Sequence, residues 1–495
     1  MTSTTTRPKP QQKAPHPGLV LALMCACTIL VIGFVASINL AAPLISRSQL
    51  QPSASNLLWI VDIYVVIFAS FVLPSGAAGD RFGRKGVLTT GLIVFALGAA
   101  LCALAPDVLL MLLGRTVTGF GAALVLPNCV GMIVNVTPAE HRNRALGTWA
   151  ATTGFGGVIG NLGGGALLST GSWQSLFIAA AAIAALLAVC MGIAAPRTAR
   201  HQRNLDPMGT LLFVLAVLAL LIGVIEGPEQ GWASFTVLFA FCLGAVLIGA
   251  WVLVELRVRH PMLDPRLFRN PLLSSACFGM LIMFFGNFGL FYVNASVLQY
   301  SRGYSVLQAG LGILPTTIPV LLSPLYARKT RNRLGVPLTL GAAFLLTSLG
   351  LFGISQAAQQ PYPVYALWLL VIGTGLALAL PSLTTEIAAA LPAEQAGIAG
   401  GLQSATRELG SAIGVAVVGT VLTVSFTQGL PVGLQTSHTV AQALLQAPEQ
   451  HAAIIAAFTT GADTALLAAS IITFLAGGVV VAGAFRARRF SRVPG

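Results

Sequence analysis

The sequence predicts an all-α integral membrane protein with fourteen transmembrane helices. Three observations carry this: charge is scarce, apolar runs are long, and basic residues crowd into alternate gaps between those runs. Of 495 residues, 56% are hydrophobic and only 8% are charged. The mean hydropathy is +0.85. Soluble globular chains carry about 25% charged residues, and a chain this poor in charge has too little polar surface to face water all round.

A membrane span needs about 20 apolar residues. Runs of that kind cover 18–43, 56–78, 87–105, 108–134, 145–169, 174–195, 208–226, 233–254, 274–298, 306–326, 335–355, 363–388, 398–424 and 464–485. Irregular backbone cannot face lipid, so each run is expected to be a helix. Of the 27 Lys and Arg, all but four fall in the two tails or in the gaps on one side. Arg47 and Arg302 lie on the other side, and Arg115 and Arg407 lie inside spans. By the positive-inside rule both termini are expected in the cytoplasm, which requires an even number of spans. The gap at 425–463 contains TVAQALLQAPEQHAAIIAAF and is expected outside, as a plain connection or with a short helix.

The net charge of +13 follows from that asymmetry. No basic stripe lies on a soluble domain, so nucleic acid is not expected as a partner. The seven cysteines are scattered in or beside apolar runs, and the six histidines fall in hydrophilic segments. Neither set has disulfide or metal spacing, so no metal and no cofactor is expected. The first 17 residues are polar and basic, the run after them is long enough to span, and no signal-peptidase pattern is present. No phosphate-binding Gly-Lys-Ser/Thr loop and no HExxH occurs, so neither ATP-driven pumping nor membrane proteolysis is supported.

The most particular local pattern follows span two: Gly76, Gly79, Asp80, Arg81, Gly83, Arg84 and Lys85. Glycines permit a tight turn there. An Asp in such a turn caps a helix start or pairs with a neighbouring basic residue. Charges inside spans are the other unusual feature, because each is costly in lipid. Asp62 lies about two turns inside span two, Arg115 inside span four, and Arg407 with Glu408 in span thirteen. Asp62 and Glu408 are the candidates for protonation, since a carboxylate taken out of water can load and release a proton as its access alternates. A fixed ion pair with Arg115 or Arg407 is the other reading of each. Arg115 keeps its charge and would tune a carboxylate or meet an anionic group. Glu226, Glu255, Glu386 and Asp463 fall near span ends, where the interface accounts for them. Phe34, Asn39, Asn128, Phe284, Asn287, Phe291, Asn294 and Gln299 are polar and aromatic candidates for lining a cavity.

The Gly-Asp-Arg-Gly-Arg-Lys loop resembles the loop signature of the major facilitator superfamily. LLGRTVTGFGAALVLP around Arg115 is similar to its second motif, and GFGGVIGNLGGG, with Gly156, Gly160, Gly163 and Gly164, to its antiporter motif. WIVDIY, PMLDPRLFRNP, VLQYSRGYSVLQAGLGILP and GLQSATRELGSAIGVAVVGT resemble the fourteen-span drug:proton antiporters. The resemblance implies a major facilitator fold, with two six-helix bundles and two inserted central helices. The boundaries then run 1–17 for a cytoplasmic tail, 18–195 for the first bundle, 196–273 for the insertion, 274–485 for the second bundle and 486–495 for the other tail. PLYARKTRNRLG at 324–335 takes the second-half place of the Asp80 loop without its Asp. Two departures stand out: Phe34 occupies the position where the subfamily has a span-one Asp, and Asn161 stands where the antiporter motif has Pro.

The expected function is secondary active transport. It would be proton-coupled export of lipophilic or amphipathic small molecules, drugs or metabolites, from a monomer in the inner (plasma) membrane, with lipid and protons as its other partners. The alternative is a facilitator or importer of a specific metabolite, which needs no titratable membrane carboxylate.

Overall fold

The structure, a computed structural model, describes residues 17–490 except 47, 53, 169–171, 199–205, 259–260, 262, 393–395, 436 and 438–439. The basic N-terminal tail, the last residues from 491 and the side chain of Asn39 therefore lie outside the described residues, as do Arg47, Arg200, Arg203 and Arg259.

The first six helices are α1 (Pro17–Ser46), α2 (Ala54–Phe82), α3 (Arg84–Ala103), α4 (Val108–Val136), α5 (Ala139–Leu168) and α6 (Gln174–Ala194). Then come α7 (Pro207–Gln230) and α8 (Phe235–Glu255), which pair with each other. The rest are α9 (Pro271–Ser296), α10 (Val306–Leu311), α11 (Leu314–Leu334), α12 (Val336–Ser355), α13 (Tyr362–Ala389), α14 (Ala396–Gly429), α15 (Val440–Gln446) and α16 (His451–Phe490). Fourteen of these have 20 residues or more, and thirteen are long and apolar enough to cross a membrane. The other long one is the glycine-rich α5.

Local chemistry sets the helix starts. Asp107 accepts from Leu110 N at 2.8 Å, Asp206 from Gly209 N at 2.9 Å and Asn270 from Leu272 N at 3.0 Å. Each side chain satisfies an amide that the first turn leaves bare. Large apolar side chains such as Phe235 (83% exposed) and Ile193 (82%) point outward, on helices long and apolar enough to meet lipid.

Two elements differ from the sequence reading. The span expected at 306–326 divides into α10 and α11, which Gly312 and Ile313 separate. The helix expected at 464 begins at His451, and in the preceding gap Val440–Gln446 forms a short helix, followed by a 3-10 turn at Pro448–Gln450. The stretch HAAIIAAF is apolar enough to continue a helix, and the one glycine between it and Thr464, Gly461, packs on Leu422 and Phe426 of α14.

In the first half, α3 and α2 pack on α4, α1 packs on α5, and α6 covers α3. In the second, α9 and α16 pack on α14, and α12 and α11 pack on α13. The halves meet along α2 and α4 against α14, and along α5 against α11 and α13. One buried apolar cluster runs continuously through both halves, including Leu73, Leu126, Leu376 and Ile398. A second, around Tyr365, Phe426 and Phe458, stays within the second half.

Candidate functional site

Three groups of side chains stand out. The first is the loop between α2 and α3. Gly83 turns it at φ 96°, a conformation that costs L side chains and suits glycine. Asp80 and Arg84 are both buried and pair at 2.7 Å. Arg84 Nη1 also donates to the Gly131 carbonyl on α4 at 2.7 Å. The other Asp80 oxygen accepts the Ile398 amide, in the first turn of α14, at 3.3 Å. A carboxylate at a helix N-terminus meets both bare amides and the positive end of the helix dipole. Asp80 therefore ties the first half to the second. Lys85 Nζ donates to the Gly192 and Ala195 carbonyls at 2.8 and 2.7 Å, capping the end of α6. Arg81 lies over the Phe82 ring.

Glycines make this closure possible. A Cβ on Gly79 would fall 1.6 Å from Asn128 Oδ1, and Gly76, one turn earlier, is buried too. Asn128 Nδ2 donates to the Ser75 and Leu124 carbonyls, so this candidate cavity residue is committed to holding α4 on α2. On α14, Gly400 packs against the Pro127 carbonyl and Gly401 against Leu73.

The second group surrounds Arg115, which is fully buried. Its Nε and Nη2 donate to the Ile60 and Val61 carbonyls of α2 at 2.8 and 3.0 Å. The guanidinium carbon lies 4.8 Å from the Tyr64 ring centre and 5.1 Å from that of Phe34, within cation–π range. Gly119 lets α4 approach α2 here, since a Cβ on it would meet the Tyr64 carbonyl at 2.6 Å. Phe34 is 3% exposed and packs edge-on against Tyr64, Phe95 and Phe177. It thus stands inside the first half, under the arginine. Asp62 is half-buried on the same turn of α2 and within electrostatic reach of Arg115.

The third group is on α14 and α9. Glu408 accepts from Nε and Nη2 of Arg407 at 3.0 and 2.8 Å, with both side chains largely buried. Arg407 lies 5.8 Å from the Phe284 ring centre. Phe284, Phe288 and Phe291 form a ladder along α9, with centroids 5.8 and 5.7 Å apart. Asn287 is buried beside it, and its Oδ1 has no hydrogen-bond partner among the described residues. The helices α2 and α4, which carry the second group, pack on α14, which carries the third, so the two groups lie along the contact between the halves. Asn294 stands apart: it is buried in the second half and accepts from the Tyr365 hydroxyl at 2.7 Å. Gln299 lies on a wide π turn, Val297–Ser301, beyond α9.

The glycine motif of α5 faces α1. A Cβ on Gly160 would meet the Gly33 carbonyl at 2.2 Å, one on Gly164 would meet Ser37, and one on Gly156 would meet Ile32. Gly163 faces open space. Ser37 Oγ lies 2.6 Å from the Gly160 carbonyl.

Sequence reasoning missed Tyr64 as a site residue, although it stands two positions from Asp62 in a quoted motif. The carboxylates assigned to span ends are also more engaged than expected. Glu226 accepts from Trp59 Nε1 at 3.1 Å, Glu255 is 1% exposed and accepts from Trp251, and Glu386 pairs with Arg331 at 2.7 Å. An open recess of 300 Å³ lies elsewhere, between α1 and α5, lined by Leu21, His141 and Arg144 and by none of the intramembrane charges.

The family model of the Major Facilitator Superfamily matches residues 24–415. The chain is 34% identical to the methylenomycin A resistance protein of Streptomyces coelicolor, over 80% of this chain and 85% of that one. It is 32% identical to the methyl viologen resistance protein SmvA of Salmonella typhimurium, over 80% and 81%. It is 29% identical to the multidrug efflux pump LfrA of Mycolicibacterium smegmatis, over 98% of each. Among solved structures, the human organic anion transporter MFSD10 superposes with a TM-score of 0.63 at 16% identity, covering 94% of this chain and 100% of that one. A bacterial homologue of the lysosomal transporter Spinster superposes at 0.62 and 18%, covering 98% and 100%.

Proposed function

The chain belongs to the Major Facilitator Superfamily, and from that premise we propose that it is a secondary active exporter driven by protons, carrying lipophilic or amphipathic small molecules. The names of its relatives support export: they are resistance proteins and an efflux pump. The observation that carries the mechanism is the presence of intramembrane charges on both sides of the contact between the halves. Asp62 on α2 and Arg115 on α4 stand on one side, and Arg407 with Glu408 on α14 on the other, where α14 packs on both helices. The phenylalanine ladder of α9 offers flat apolar faces beside them.

In this reading the cavity opens between the halves, and access alternates as they rock. Glu408 in its charged form holds Arg407. Its protonation releases the guanidinium toward Phe284 and changes what the cavity offers a substrate. The continuous core and the Asp80–Ile398 contact close the end that we assign to the cytoplasm. The protein works as a monomer in the inner membrane, with both termini cytoplasmic. A reporter fused after Arg492 then reads cytoplasmic, and one inserted near Gln435 reads external. The opposite readout at either position overturns the map.

The decisive experiment is a proteoliposome assay with an imposed pH gradient and a chemically varied substrate panel. Asp62→Asn and Glu408→Gln abolish gradient-driven accumulation, while substrate exchange, which moves no net proton, survives. If both single variants and the double variant still accumulate substrate with wild-type pH dependence, coupling through these carboxylates is wrong. A facilitator then becomes the better account.

A further inference from the structure

We propose that Asp463 is a proton-binding site at the end of the second half opposite the Asp80 loop, within a polar cluster formed with Arg302, Tyr365 and Asn294. Its part in transport rests on the proton-coupled reading above, whereas the proton binding itself does not.

Asp463 lies in the first half of α16, where Gly461 packs on Leu422 and Phe426 of α14. Counting back from Arg486 at about 1.5 Å per residue places it about 34 Å away. That is about the thickness of a bilayer's hydrocarbon core, so Asp463 stands where the far boundary of the membrane falls. It is nevertheless not an ordinary interfacial carboxylate. Its Oδ1 is buried and has no hydrogen-bond partner among the described residues.

The neighbours define the chemistry. Tyr365 is fully buried, and its hydroxyl donates to Asn294 Oδ1 at 2.7 Å. The Arg302 guanidinium lies 4.7 Å from the Tyr365 ring centre, and its Nη2 donates to the Ala357 carbonyl at 2.7 Å. Its Nε is buried with no hydrogen-bond partner among the described residues. Ser301, next to Arg302, lies 2.9 Å hydroxyl to hydroxyl from Thr459, one turn before Asp463 on α16, and Tyr365 shares a buried apolar cluster with Ala462, the residue beside Asp463, which brings acid, guanidinium and phenol to the same end of the second half. No ion pair joins Arg302 to Asp463 among the described residues.

Of the elements packed on this part of α16, the π-turn segment brings Tyr300 and Arg302, α9 brings Tyr292, and α12 brings no titratable group. On α14 the charges are Arg407 and Glu408, in the portion nearer the Asp80 loop. Tyr362 stands with Tyr365 at the start of α13, and His451 at the start of α16 itself. Within the cluster the roles sort by elimination. Arginine does not give up its proton, and the Tyr365 proton is committed to Asn294. Asp463 is the group left to gain and lose one. Asp463 is half-buried, and when ionised its buried Oδ1 receives no donor among the described residues, which makes the charged form costlier than that of a fully hydrated carboxylate. When protonated, the acid is relieved of that cost. The cluster then reports the proton supply of the compartment that its end of the molecule faces.

Infrared titration of the full chain reconstituted in liposomes tests this without any substrate. Wild type shows a protonated-carboxyl stretch that titrates with pH. Asp463→Asn loses one residue's share of that amplitude, and Asp463→Glu keeps the amplitude with a displaced midpoint. Asn and wild-type spectra that overlay at every pH overturn the site, and so does a Glu variant with an unmoved titration. Transport is read separately, with the panel compound that wild type carries. A titrating Asp463 with pH-independent transport sinks the coupling reading and leaves the site. Proton-driven transport with a silent Asp463 sinks the site and leaves the coupling.

Discussion

The loops joining α2 to α3 and α11 to α12 hold corresponding places in the two halves, and both turn on a glycine of positive φ, Gly83 at 96° and Gly335 at 76°. They hold their charges differently. In the first loop the carboxylate is Asp80, three residues before the glycine. It pairs with Arg84 at 3% exposure on each side chain and reaches across to α14. In the second loop the matching position is Asn332, which is exposed, and the carboxylate comes from α13. Glu386 pairs there with Arg331, whose side chain is 25% exposed. The first arrangement joins the halves, and the second braces one half internally. Sequence symmetry between the loops is thus kept in the turn and lost in the latch.

The largest expected effect comes from Asp80→Asn. It removes the partner of a buried Arg84, a change that costs about 3–5 kcal/mol in buried pairs, and it weakens the tie to α14. Transport falls at least tenfold while membrane insertion, read by surface labelling, stays normal. Undiminished transport would remove the latch from the account. Gly79→Val comes next, because its side chain must displace Asn128. Overpacking of this kind costs about 1–3 kcal/mol, visible as an earlier loss of the monodisperse peak on heating in detergent. Glu386→Gln breaks a partly exposed pair, so the cost is about 0–1 kcal/mol and transport drops less than threefold. An effect as large as that of Asp80→Asn would erase the distinction between the loops. The smallest effect is expected of Asn332→Asp, an exposed substitution within about 0.5 kcal/mol. Placed in the Asp80→Asn background it restores nothing. Recovery there would mean that loop register, and not the contact to α14, makes the latch.

The first loop was legible in sequence because its parts are contiguous: glycines, acid and bases within ten positions. The Arg331–Glu386 pair was not, since 55 residues separate its members and each alone reads as a charge near a span end. Arg115 was legible as costly, and its surroundings were not. Phe34 sits 81 positions away and was read toward a cavity, whereas α1 and α4 bring it under the guanidinium. The early start of α16 escaped because AAIIAAFTTGAD suits a surface connection or a continued helix equally, and only packing on α14 decides.

The contact between α5 and α1 bears on how the chain enters the membrane. The face that α5 turns to α1 is a strip of glycine, where backbone lies on backbone and Ser37 bridges the seam. A strip like that attracts lipid weakly, because it has few side-chain atoms to bury. It gains its place from a neighbour that fits it. Since α1 begins more than a hundred residues ahead of α5 and is long and apolar enough to span by itself, its face is already made when α5 emerges. The order of synthesis thereby becomes part of the folding code: a chain permuted to deliver α5 before α1 would be expected to stall at that helix, although every contact of the finished protein remained available to it.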